Sequence, residues 1–185
     1  MTDPRRVGVW EAFADQFLDT EVRYDIPRAA LCCVEAGITA AEAWDIWRFE
    51  VTPAVHFNIW SVAGEWALWN TEWLRERIER IRADPLPPRP LAHALYRLRV
   101  HFLNSVGVAI VRCVKLLEAC PPESRQQAAF QLVALARHYF DFCPQPIPEG
   151  ERAELRLLYQ RDFLPLFRQL SPPSSADARV RAALV

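Results

Sequence analysis

The chain has 185 residues, 51% of them hydrophobic and 24% charged, a balance that can bury a sizeable core in one domain or two small ones and excludes disorder. A formal charge of −1 removes the simplest case for a nucleic-acid binder or a polybasic membrane protein. Only 5 glycines against 15 prolines disfavour glycine-rich phosphate loops and tight hairpins, and call for many element boundaries.

Apolar residues recur at helical spacing almost throughout, and alternating runs bounded by glycine turns are missing. Pro4 suits the first position of a helix capped by Asp3, with Val7, Trp10, Phe13, Phe17 and Leu18 on one face. A second helix is expected from Pro27, capped near Asp25 and stopped by Gly37. Thr39 and Glu42 form the Thr-x-x-Glu capping box of a third, over 40–50, with Trp44, Trp47 and Val51 at three- and four-residue steps. Pro53 either kinks this helix or starts the next, on which Phe57, Trp60 and Ala63 continue. Asn70 or Thr71 caps a further helix whose predicted inner face is Trp73, Arg77, Ile78 and Ile81, with Arg75 and Glu79 as a surface pair. The stretch 84–90, with four prolines, reads as a linker. A long helix is expected over 91–119, another from Glu123 or Ser124 to Phe142, and an amphipathic one over 149–163. A short turn is expected over 164–170; 171–175 reads as disordered, and 178–184 as a terminal helical turn.

These elements predict an all-α protein, a helical bundle or two-layer array, with two lobes joined by the proline-rich linker as one arrangement. The domains expected are 1–83, an acidic tryptophan-rich lobe; 84–90, the linker; 91–170, a second helical lobe; and 171–185, a flexible tail. All seven tryptophans precede the linker, and 1–83 carry 9 arginines against 14 carboxylates, net −5, while the remainder is net +4. No apolar signal segment opens the chain, and the longest apolar stretch, 102–117, is broken by Asn104, Arg112 and Lys115. Five cysteines (Cys32, Cys33, Cys113, Cys120, Cys143) without a CxxC read as free thiols, and the expected compartment is the cytoplasm.

No pattern of catalysis stands out. Glu50, His56 and Glu65 lack metal-ligand spacing, His93 and His101 are eight residues apart, and no GxSxG, dinucleotide or phosphate-loop motif occurs. The expectation is therefore a protein that is not an enzyme and holds no metal or cofactor. Acidic residues cluster from Asp15 through Asp19, Glu21 and Asp25 to Glu35, Glu42, Asp45 and Glu50. A solvated face explains such a cluster, and so does a surface for a basic partner, since complementary charge speeds association. Seven tryptophans exceed what a small core needs, so Trp60 and Trp69 are the candidates for exposed anchors. Nucleic acid and membrane are not expected partners.

The run Trp10 … Phe17-Leu18-Asp19-Thr20-Glu21, then Glu50-Val51 … Pro53, Asn58, Ser61-Val62-Ala63-Gly64-Glu65-Trp66 and Trp73-Leu74, resembles a small bacterial domain family of unknown function over about residues 7–82. The resemblance implies a small, helical bacterial protein and supplies no catalytic residues. Many orphan families of this kind are immunity proteins, which neutralise a toxin. On that footing the expected function is an immunity protein that docks on a basic toxin or effector domain through Asp19, Glu21, Asp25, Glu42, Asp45 and Glu50, with Trp60 and Trp69 as anchors. The alternatives are a carboxylate-based enzyme, with or without a metal, and a helical adaptor or homo-oligomer.

Overall fold

A computed structural model describes residues 3–18, 22–55, 70–83, 90–140 (90–103 as backbone), 146–167, 170 and 175–185. Among them every regular element is helical and no strand occurs. Helix α1 (Pro4–Ala14) starts as its sequence requires, with the Asp3 carboxylate accepting from the Arg5 amide and Pro4 in the first turn, where a missing N–H is harmless. Helix α2 (Ile26–Glu35) ends in Gly37, whose φ of +66° is the left-handed conformation that closes a helix. Asp25 stands at its N-cap position without a side-chain cap bond; its carboxylate lies 3.3 Å from Arg28 instead.

Helix α3 (Ala40–Asp45) opens with the full Thr39–Glu42 capping box. It passes without a break into a π turn, π1 (Ile46–Val51), and then into α4 (Thr52–Val55). The same device recurs near the C-terminus, where α8 (Arg152–Leu158) passes through π2 (Tyr159–Phe163) into α9 (Leu164–Phe167). In both runs the residue before a proline reaches back five positions. Thr52 N–H bonds Trp47 O ahead of Pro53, and Leu164 N–H bonds Tyr159 O ahead of Pro165. A proline inside a helix has no N–H and its ring collides with the carbonyl four residues earlier, and widening the preceding turn relieves both problems. A neighbouring arginine then serves a carbonyl of each run. Arg77 Nε donates to Ala54 O at 2.7 Å, and Arg112 Nη1 donates to Pro165 O at 3.1 Å. Pro53 therefore neither ends the third helix nor begins a new one; the π turn carries the helix through it.

Helix α5 (Thr71–Ala83) is capped by Asn70, whose Oδ1 accepts from the Trp73 amide at 2.9 Å. The long α6 (Pro90–Ala119) is followed by α7 (Arg125–Phe140), and a terminal helix α10 (Ala176–Ala183) extends through the stretch expected to hold only a turn. Helix α6 packs on α2 and α3, and α7 on α2 and α10, so one hydrophobic core takes side chains from both sides of the proline-rich stretch. Residues 84–89 of the expected linker lie outside the described residues; Pro90 already belongs to α6. Two reciprocal contacts fasten the halves. The Arg23 guanidinium lies 4.7 Å from the Phe140 ring centroid, and that of Arg137 lies 5.1 Å from Tyr24.

Helix α6 comes close to π1 at one glycine. Gly107 faces Trp47, and a Cβ built there would fall 2.5 Å from two atoms of the indole. Phe13 meets the same indole edge-on at 5.7 Å, and Phe17 lies at 5.1 Å. No described helix is long and apolar enough to cross a membrane.

Candidate functional site

The polar centre of the first half is Glu50. It sits on π1 between α1 and α5, and its residue is 8% exposed. A carboxylate so far from water needs partners, since leaving a buried charge unpaired is costly. Trp10 Nε1 donates to Oε2 at 2.7 Å and Arg6 Nη1 donates to Oε1. Arg82, from the end of α5, brings Nε to 3.7 Å of Oε1, with its guanidinium 5.8 Å from the Trp10 ring centroid. Asp3 extends the cluster outward, pairing with Arg5 at 2.8 Å and with Arg6 at 3.8 Å. Glu50 thus ties three helical elements together, and its charge is used inside the fold.

The other nominated carboxylates take separate places. Glu42 is occupied locally, accepting from both the amide and the hydroxyl of Thr39 at 2.9 Å. Those bonds, with Arg5 and Arg6 nearby, hold its carboxyl below the usual range. Asp25 is half-buried, and burial pushes its carboxyl up against the opposing pull of Arg28 and Arg137. Asp15 behaves alike, raised by burial first and then by Glu11 and Asp25. Asp45 is exposed on α3. Asp19, Glu21, Trp60 and Trp69 lie outside the described residues. Of the described members of the acidic set, Glu50 is enclosed, Asp25 is half-buried, Glu42 caps its own helix, and Asp45, three residues further along that helix, stands in solvent.

Among the described residues three aromatics that were not candidates for anchors are exposed, Phe49, Trp73 and, apart from these on α7, Phe130 at 51%. Phe49 on π1 is 57% exposed and Trp73 on α5 is 38% exposed. Each lies under a guanidinium, with Arg48 5.2 Å from the Phe49 centroid and Arg77 5.5 Å from that of Trp73. The predicted inner face of α5 is a correction: Leu74 and Ile78 are buried and Ile81 is half-buried, so the inward stripe is 74, 78, 81 and Trp73 falls just beside it. Arg75 pairs with Glu72 at 3.7 Å, three residues back, where Glu79 was expected. The legible signal for Phe49 was its position off the inward stripe of Ala43, Trp47, Glu50 and Ala54, all of them buried.

The two elements run antiparallel, since Glu50 faces Arg82 while Ala54 faces Arg77. A rise of about 1.5 Å per residue separates Trp73 from the Arg82 end of α5 by roughly 14 Å. Exposed carboxylates accompany them: Asp45 one turn before Phe49, and Glu72 and Glu76 on either side of Trp73. No group of three or more histidine, cysteine or carboxylate side chains among the described residues could hold a metal ion. The four described cysteines are free thiols, and burial pushes those of Cys33 and Cys113 far up, which suits packing and not reactivity.

A family model, the domain of unknown function DUF7079, matches residues 4–107, more than half of the chain and the whole of the α1–π1–α5 junction. No curated protein and no solved structure matches the chain.

Proposed function

The chain belongs to the DUF7079 family, and we propose that it is a bacterial immunity protein, acting in the cytoplasm by binding another protein and not by catalysis. The partner is a basic toxin or effector domain, and the docking surface is the face built by π1 and α5. The observation that supports this reading is the pair Phe49 and Trp73, two large aromatics held out of the core on adjoining elements and accompanied by Asp45, Glu72 and Glu76. Exposed aromatics are the residue class that anchors interfaces, and carboxylates around them steer a basic partner. Their spacing fits within the roughly 800 Å² that each partner contributes to an ordinary interface. Asp45 remains a contact residue in this reading, whereas Glu50 supports the face from beneath.

The test is titration of the purified chain with the product of a toxin gene adjoining its own, followed by the charge-reversed variant Asp45→Lys/Glu72→Lys/Glu76→Lys. The reading expects binding that weakens at high salt, at least tenfold weaker association for the variant, and loss of its protection of cells against that toxin. Unchanged affinity and protection in the folded variant would overturn it.

A further inference from the structure

The two helix–π–helix runs are one motif used twice. Residues 40–55 and 152–167 align without a gap: Ala41-Glu42 with Ala153-Glu154, Trp47 with Tyr159, Glu50 with Asp162, and Pro53 with Pro165. The structure keeps that alignment. The π turns end at the aligned residues Val51 and Phe163, and Ile46, Trp47, Val51 and Val55 are buried as Leu158, Tyr159, Phe163 and Phe167 are. Outward positions on the two runs therefore match as well. On the first they are Asp45 and Phe49, on the second Leu157 and Arg161.

The chemistry runs in opposite order along the two surfaces, acidic then apolar on the first and apolar then basic on the second. In each run the two positions are four residues apart, roughly 6 Å along the axis. One surface laid antiparallel on the other brings Asp45 opposite Arg161 and Phe49 opposite Leu157 at once. Phe49 is 57% exposed, Leu157 is 67% exposed, and the Arg161 side chain is 77% accessible, so neither surface covers the other within the chain. Arg161 gives Nε and Nη2 to Asp162, which leaves Nη1 for a second carboxylate. A single exposed apolar residue is ordinary on a protein surface. What singles these two out is that each has its complement, in charge and in spacing, on the other run.

We propose that the chain self-associates head to tail, the Asp45–Phe49 surface of one copy docking on the Leu157–Arg161 surface of the next. Each copy carries one surface of each kind, so the contact is heterologous and closes a ring or extends a row of copies. Two anchoring pairs make a small interface of the weak, transient class. Asp45 and Phe49 also belong to the face assigned above to a toxin, so a toxin bound there displaces the neighbouring copy. That consequence rests on the toxin reading, and the self-association does not.

Sedimentation of the purified full chain tests it, from about 1 to about 500 µM at about 0.05 M salt. The mass should rise with concentration and fall back at about 0.5 M salt. Asp45→Arg, Arg161→Asp and Leu157→Ser should each weaken association at least about fivefold, with Tm unchanged because all three positions are exposed. Asp45→Arg/Arg161→Asp, which exchanges the two charges, should associate as the native chain does. A chain that stays monomeric throughout overturns the proposal. So does association that the single variants leave intact or that the exchanged pair does not restore. If the copies associate as stated and the toxin binds without separating them, the toxin does not use this face and the self-association stands.

Discussion

Substituting Gly107 by alanine tests how the long helix α6 seats against π1. The new Cβ would meet Trp47 Cδ1 and Nε1 at 2.5 Å and Cγ at 3.0 Å, about 1 Å inside ordinary carbon contact. The indole cannot yield easily, because it is 1% exposed and bounded by Phe13 and Phe17 at 5.7 and 5.1 Å. Either α6 shifts or Trp47 leaves its rotamer, and overpacking of this kind costs about 1–3 kcal/mol. Alanine's better helix propensity offsets up to about 1 kcal/mol of that. A net loss of about 1–2 kcal/mol should lower Tm by about 2–8 °C in a chain of this size. Circular dichroism melting gives Tm, and the urea midpoint with an unchanged m value gives the free energy. Trp47→Phe, which shrinks the ring facing α6, should recover part of the loss in the double variant. An alanine variant as stable as the native chain, or more stable, would refute the steric reasoning.

Other outcomes follow from the same structure. Asp15 has its carboxyl raised by burial and by neighbouring carboxylates, and it stands at the C-terminal end of α1, where negative charge is unfavourable. Its ionisation opposes folding, so the stability it permits is full below the unfolded-state pKa and lost as pH rises through the folded-state pKa. Asp15→Asn should raise Tm at about pH 7 and leave it unchanged near pH 3; a lower Tm at about pH 7 contradicts this. Tyr159 donates from its hydroxyl to Asp177, helping to seat α10, so Tyr159→Phe should cost about 1 kcal/mol and speed amide exchange in α10. Unaltered exchange there would show the bond to be dispensable. Buried Cys33 and Cys113 should escape a thiol reagent in the native protein and react on unfolding, and mass mapping of native label at either site would contradict the packing described.

Local signals read well where a single short-range interaction decides the outcome. The Asp3 cap, the Thr39–Glu42 box, the Asn70 cap and the Gly37 stop each depend on chemistry within a few residues, and each stands where expected. Registers that depend on tertiary contacts were not legible. Trp73 reads as an inward residue because it is large and apolar, yet Leu74, Ile78 and Ile81 give α5 a complete inner stripe without it. Acidic spacing could not reveal that Glu50 is claimed by Arg6 and Arg82, residues 44 and 32 positions away in the chain. The π turns have a sequence cause in Pro53 and Pro165, but whether a proline kinks, ends or widens a helix depends on what packs around it, here Arg77 and Arg112. Charge counts show that 1–83 is the acidic part of the sequence and leave open which carboxylates remain for a partner.

Whether π1 and α5 form the docking face is decided by a hydrogen-exchange footprint of the chain bound to its toxin or effector. Slowed exchange on binding is expected at 45–49 and 71–83, around Phe49 and Trp73, with α7 and α10 unaffected. Protection confined to α7 and α10, with none on π1 or α5, would contradict it.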